Sequence, residues 1–277
     1  MAVIGHYELD IDRPSVAIYW DFENIHASLI EQIKGVGTYR QTRFTPQEPV
    51  VNVAALMEFC ASFGSVAINR AYGNWQWFAR YREALLHNAV ELIQLFPPGA
   101  AAKNGADIKL CLDATEDMIR FPHVTTLVII GADSDFLPVS QKIMAAGRTL
   151  VGVGIEAATN KHWAHSCHEF RYYERLVVEE DAPPVEESGQ AETSAPSRPE
   201  AIDLIRRAIG RLAANKGEPW VLKATIRPMV LRLDPTFDEQ SYGVGTFSEL
   251  LKKYDDVLEV RKGQHDKEYR VKKAEKS

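Results

Sequence analysis

The chain has 277 residues, 45% hydrophobic and 25% charged, with a net charge of −6. That is an ordinary globular composition with room for two cores, and it argues against a whole-surface polyanion binder. No apolar run nears the ~20 residues that span a bilayer, residues 1–12 lack the apolar core of a signal peptide, and three widely spaced cysteines (Cys60, Cys111, Cys167) fit reduced thiols rather than a disulfide framework; the expectation is a cytoplasmic protein with no membrane partner.

The first part of the chain alternates strand and helix patterns. Residues 15–20 (SVAIYW) form a short β-rich run. Residues 51–63 show helical periodicity, with Val53, Leu56, Met57 and Cys60 on one face. Residues 65–71 predict a strand, 75–87 a helix, and 90–96 a strand broken by Pro97-Pro98-Gly99. Residues 106–120 predict a helix, with Ile108, Cys111, Leu112, Thr115 and Ile119 recurring at spacings of three and four as its apolar face. Residues 125–130 (TTLVII) are the clearest buried strand. Residues 135–146 predict a helix closed by Gly147, followed by a strand at 148–154, a helix, and a last strand near 170–177. The connection over 35–49 is long, a candidate mobile loop. Strands without polar alternation, separated by helices, imply a parallel sheet covered on both faces. Ligand sites in such sheets gather at the carboxyl ends of the strands.

Carboxylates stand at those ends. Asp21 follows the first strand, Asp133 and Asp135 follow TTLVII, and Asp107 opens the helix before it. Any one Asp there is explained by helix capping alone. Several brought to one sheet edge repel one another unless a cation sits among them. Oxygen donors with no His or Cys nearby favour Mg²⁺ or Mn²⁺.

The run Trp20-Asp21-Phe22-Glu23-Asn24-Ile25 resembles the D-x-x-N signature of NYN domains, in the PIN-like nuclease superfamily. Lys103-Asn104-Gly105-Ala106-Asp107 with Asp113, and Gly131-Ala132-Asp133-Ser134-Asp135-Phe136 with Pro138, resemble the family's second and third elements. Here Ala132 is inserted between glycine and aspartate. The resemblance spans about residues 15–176. It implies a PIN-like three-layer α/β/α sandwich with a parallel central sheet, acting mostly on RNA. Asp21, Asp107 and Asp133 match the metal-holding catalytic acids. Asn24 matches the polar residue that orients a ligand or water. Asp135 and Asp113 match auxiliary acids, Asp113 with solvent exposure as its alternative. Lys103 and Ser134 are candidate substrate contacts, Lys103 with a merely solvated loop lysine as its alternative. The mechanism implied is hydrolysis of RNA phosphodiester bonds by metal-activated water, with a non-catalytic RNA-binding adaptor as the alternative.

Two other features compete. The aromatic and basic run around Trp75 and Arg80 is a candidate surface for stacking and phosphate contact, though its spacing fits core packing equally. His162, His165, Cys167 and His168 lie on one short stretch, which is poor geometry for four zinc ligands.

Residues 179–199 hold almost no large apolar side chain and predict a disordered linker, dividing the chain into domains at 1–178 and 200–277. From Ala201 onward 16 Lys and Arg stand against 12 Asp and Glu. Helices are predicted at 201–214, 220–233 (interrupted by Pro228) and 247–254, then a two-stranded hairpin: a small winged helix-turn-helix. Trp220, Pro235-Thr236-Phe237-Asp238, Tyr242-Gly243 and Phe247-Ser248-Glu249-Leu250-Leu251 resemble the OST-HTH domain, also called LOTUS. That resemblance implies binding of single-stranded RNA or docking of a protein partner, with Lys223, Arg227, Arg232, Lys252, Lys253, Arg261 and Lys262 as candidate phosphate contacts. A homodimer is a further open partner reading.

Overall fold

Ser15–Asp21 (SVAIYWD) forms strand β1 because five consecutive residues, Val16 to Trp20, are fully buried between two layers. The computed structural model describes residues 14–96, 105–177, 198–263 and 267–272. Lys103 and the predicted linker up to residue 197 lie outside them. The chain makes two compact units, residues 1–167 with 171–177 and residues 168–170 with 178–277.

In the first unit, β1 leads into helix α1 (Phe22–Lys34), α2 (Thr38–Thr42), α3 (Val53–Ala61), β2 (Ser65–Gly73), α4 (Arg82–His87), β3 (Glu91–Gln94), α5 (Gly105–Arg120), β4 (Val124–Ile130), α6 (Leu137–Ala145), β5 (Thr149–Gly154), α7 (Lys161–His165) and β6 (Glu169–Tyr172). The strands form one six-stranded sheet in the order β3-β2-β1-β4-β5-β6. The pairings from β3 to β5 are all parallel. The fold class is α/β, as expected. The chain leaves β1 in one direction towards β3 and returns on its other side through β4. The crevice between the carboxyl ends of β1 and β4 is therefore the topological switch point of the sheet.

Two sequence expectations for this unit are corrected, and the unassigned connection over 35–49 is defined. Residues 75–87 are not one helix. A 3₁₀ turn at Ala79–Tyr81 precedes α4. Trp75, Phe78 and Tyr81 recur at every third residue, the 3₁₀ period, and all three pack on Phe22, with centroids 4.8–5.3 Å away. The connection over 35–49 contains α2 and is pinned at several points. The Glu31 carboxylate accepts Gly37 N–H and, at 3.0 Å, Tyr39 N–H, while buried Gln47 bonds His26 at 3.1 Å. On α5 the buried and exposed faces are the reverse of the prediction. Asp107, Leu110, Asp113, Ala114, Asp117 and Met118 face inward, whereas Ile108, Leu112 and Ile119 are exposed.

The second unit has its own core, including Ile205, Ile209, Ile226, Val230, Phe237, Leu250 and Tyr254. Its helices are α8 (Arg198–Lys216), α9 (Lys223–Leu233) and α10 (Phe247–Lys253), with strands β7 (Val221–Leu222), β8 (Leu258–Lys262) and β9 (Lys267–Val271). Helix α8 begins two residues before the expected domain start. Trp220 to Leu222 do not begin a helix: β7 pairs antiparallel with β9, giving a three-stranded sheet instead of a hairpin. Thr246 and Glu249 form a reciprocal capping box that starts α10. Gly243 sits at φ +71°, the left-handed conformation its turn needs.

Candidate metal centre

Register places the acids. Trp20 pairs with Ile130 across β1 and β4, so Asp21 and Gly131 leave the sheet side by side. A Cβ on Gly131 would lie 3.2 Å from Asp21 Cβ and 2.6 Å from the Phe136 ring. No side chain fits there, so a glycine is what lets the chain leave β4 against Asp21 and Phe136.

That turn is held from four directions. Gly131 N–H donates to Val153 O at 2.8 Å, and Asn160 N–H to Ala132 O at 3.0 Å. The Trp163 indole donates to Gly131 O at 2.9 Å, and Ala132 N–H donates to Asn24 Oδ1 at 3.2 Å. Asn24 thus fastens α1 to the loop after β4 through its Oδ1, a positioning bond. Trp163 was not foreseen as part of the site. The nearby histidines had drawn attention to α7, but its fully buried tryptophan is what braces the turn.

Asp107, Asp133 and Asp135 each offer a carboxylate oxygen within 4.8 Å of the other two. Asp107 is buried in the first turn of α5, Asp133 is half-buried and Asp135 exposed. The expected trio was Asp21, Asp107 and Asp133. Among the described residues Asp135 lies with Asp107 and Asp133 in one group, and Asp21 is hydrogen-bonded to Asp107. Asp21 is 3% exposed. Burial, then the charge and hydrogen bond of Asp107, raise its pKa well above the carboxylate range. Asp107 is raised too, by burial first, with Asp133 and Asp135 adding to it. Among the described residues, the neighbouring charges that raise the two acids are carboxylates. Two carboxyl groups in contact must share a proton or a cation. An all-oxygen donor set with unneutralised charge fits a hard divalent ion.

Capping also occurs. Asp21 accepts Asn24 N–H at 3.4 Å and Asp133 accepts Asp135 N–H at 3.2 Å. Both acids therefore do structural and electrostatic work at once. The Ser134 hydroxyl donates to Asp133 at 3.3 Å.

Other candidates stand apart from the cluster. Asp113 does not face solvent: it accepts the Tyr72 hydroxyl at 2.8 Å and pairs with Lys109. Asp117, not foreseen, accepts the Tyr19 hydroxyl at 3.0 Å and an Arg70 N–H. Trp75 packs on Phe22 and donates to Ile93 O at 3.0 Å. Arg80 pairs with Glu48. Among the described residues, the acidic trio is the group of His, Cys, Asp and Glu with metal-holding geometry.

A parallel α/β sheet with acids gathered at its switch point defines the class of PIN-like domains with an acidic pocket. Residues 15–174 match the NYN domain, more than half of the chain, and the protein belongs to that family, a PIN-like nuclease family. Residues 196–269 match the OST-HTH/LOTUS domain, which points to RNA binding. An uncharacterized protein of Methanocaldococcus jannaschii is 27% identical over 106 residues, 38% of this chain and 41% of that protein. The match thus spans about two-fifths of that relative's length. A solved structure of a protein of unknown function from Vibrio parahaemolyticus is 16% identical with a TM-score of 0.45, covering 58% of this chain and 93% of that one. No described helix is long and apolar enough to cross a membrane.

Proposed function

We propose that the protein is a metal-dependent endoribonuclease, with the clustered acids as its active site and residues 200–277 as an RNA-binding module. The observation that carries this reading is the convergence of Asp107, Asp133 and Asp135, with Asp21 bonded to Asp107, at the switch point of the sheet. Asp107, Asp133 and Asp135 would hold Mg²⁺ or Mn²⁺, with Asp21, hydrogen-bonded to Asp107, as a further carboxylate of the site. Such an ion supplies charge neutralisation at a phosphodiester and activation of water. The chain contributes the rest. The four bonds around Gly131 and Ala132 keep Asp133 from drifting. Ser134, whose hydroxyl donates to Asp133, would meet a phosphate oxygen. Lys103 would add a positive charge to the RNA strand, whereas Trp75 and Arg80, already engaged in packing and an ion pair, contribute shape rather than stacking. The three free thiols, two of them buried, fit a cytoplasmic, reducing setting.

The test is cleavage of single-stranded RNA with Mn²⁺, with and without EDTA, by the parent and by Asp107→Asn. Chelator-sensitive cleavage that falls at least 100-fold in the variant is expected. RNA binding without cleavage by the parent would overturn the enzyme reading and leave an adaptor. Single-stranded DNA in the same assay decides the choice of nucleic acid.

A further inference from the structure

Helix α5 has an apolar stripe on the side away from the sheet. Ile108, Leu112 and Ile119 are 59%, 62% and 80% exposed, and half-buried Thr115 lies between them. These positions are four, three and four residues apart. That is the alternating spacing of a coiled-coil seam, and it puts all four within about 60° on a helix of 3.6 residues per turn. Three large aliphatic side chains at seam spacing on a solvated face mark a contact surface. The inward face already serves the sheet, so the stripe is surplus to the fold of its own unit.

The charges beside the stripe say what it meets. Lys109 and Glu116 occupy equivalent flanking positions on one side of the seam, one near each end. Lys109 is half exposed while it pairs with Asp113, and Glu116 is exposed. We infer that α5 is the contact surface for a second copy of this chain, helix against helix and antiparallel, about a two-fold axis passing between Leu112 and Thr115. In that register Ile108 of one copy meets Ile119 of the other, Leu112 meets Thr115, and Lys109 lies beside the opposite Glu116, twice over. A parallel pairing would set Glu116 against Cys111 and gain no opposite charge. The inference is independent of the nuclease reading, because Asp107 points to the other side of the helix.

The test is the mass of the full chain in solution, by light scattering and sedimentation equilibrium, in EDTA and without RNA. The parent should be a dimer at about 100 μM, where even an interface of modest affinity is populated. Leu112→Glu should weaken association at least tenfold while keeping the parent's melting temperature. Lys109→Glu alone should weaken it several-fold, and Lys109→Glu with Glu116→Lys should restore it. A monomeric parent overturns the inference. A monomeric parent that Leu112→Glu destabilises also overturns it, showing that the chain itself covers the stripe. A dimer that survives Leu112→Glu, or a double charge swap that fails to restore what the single variant lost, overturns this surface or this register.

Discussion

At the scale of single residues, the acids were legible in the sequence and their partners were not. An Asp at the end of an apolar strand can be read from the order of residues, because parallel strands deliver their ends to one edge. Which acids touch depends on register and on the turn between Gly131 and Asp133, and neither is written in local pattern. Asp135 therefore joins Asp107 and Asp133 in the closest trio while Asp21 bonds Asp107, and Asn24 Oδ1 accepts the Ala132 N–H. Asn24→Ala removes that bond, leaves the Ala132 N–H unpaired, and loosens the turn that carries Asp133. Changes to groups that orient metal ligands cost roughly 10–100-fold in affinity or activity. We expect a loss of that size in Mn²⁺ affinity by calorimetry, with at most about 1–2 kcal/mol lost in stability; unchanged affinity would mean that the turn holds itself. Asp21→Asn tests the other side of the design. Asparagine keeps the cap on α1 and can donate to Asp107, so the two groups no longer compete for one proton. In EDTA at pH 7 the variant should be more stable by about 1–2 kcal/mol, read as a rise of roughly 2–8 °C in Tm. A lower Tm would show that the acids are not in mutual repulsion.

At the scale of elements, strands were predicted better than helix faces. A buried parallel strand announces itself as a continuous apolar run, as residues 124–130 do. The apolar periodicity of α5 was equally plain but pointed the wrong way. Its inward face carries Asp113 and Asp117, which are satisfied by hydroxyl groups of Tyr72 and Tyr19 projecting from β2 and β1. Tyrosines inside strands gave no sign that they would receive carboxylates. Helix α1 hides a similar polar contact. His26 is fully buried, between the Tyr81 hydroxyl at 2.9 Å and Gln47 Oε1 at 3.1 Å. Gln47 spends its N–H groups on Thr42 O and Thr45 O, so its oxygen accepts from His26 Nε2–H and the ring is neutral. Burial holds the imidazole pKa below its ordinary 6.5. A group depressed in the folded state gives stability that is present above its unfolded pKa and is lost as pH falls. The Tm should therefore decline as pH drops from about 6.5 towards 5. His26→Gln, which cannot titrate, should start lower by about 1–3 kcal/mol and show a flatter decline. Parallel curves for the two proteins would assign the acid sensitivity to other groups.

At the scale of the whole molecule, the uneven distribution of charge divides the labour. The chain is acidic overall and the first unit gathers acids at its pocket, so it has little long-range attraction for RNA. On the proposed function, the surplus of Lys and Arg after residue 200 would supply what the pocket lacks. The second unit does not spend all of that charge on partners: Arg227 pairs with Glu239 and Arg261 with Glu268, while Lys252, Lys262 and Arg232 stay exposed. Trp220 lies under the guanidinium groups of Arg261 and Arg270, 4.4 and 4.7 Å from its ring, and Arg270 is paired in turn with Glu259. Because each unit has its own core, a chain ending at residue 177 should fold. Phosphate contacts release counterions, so the log of RNA affinity falls linearly with the log of salt concentration, by roughly one unit of slope per contact. Removing the second unit should weaken RNA binding and flatten that slope by about two units or more, while the single-turnover cleavage rate at saturating RNA stays within about threefold of the parent's. Equal affinity and equal slope for the two chains would mean that the second unit docks a protein instead, and that the acidic domain meets its RNA unaided.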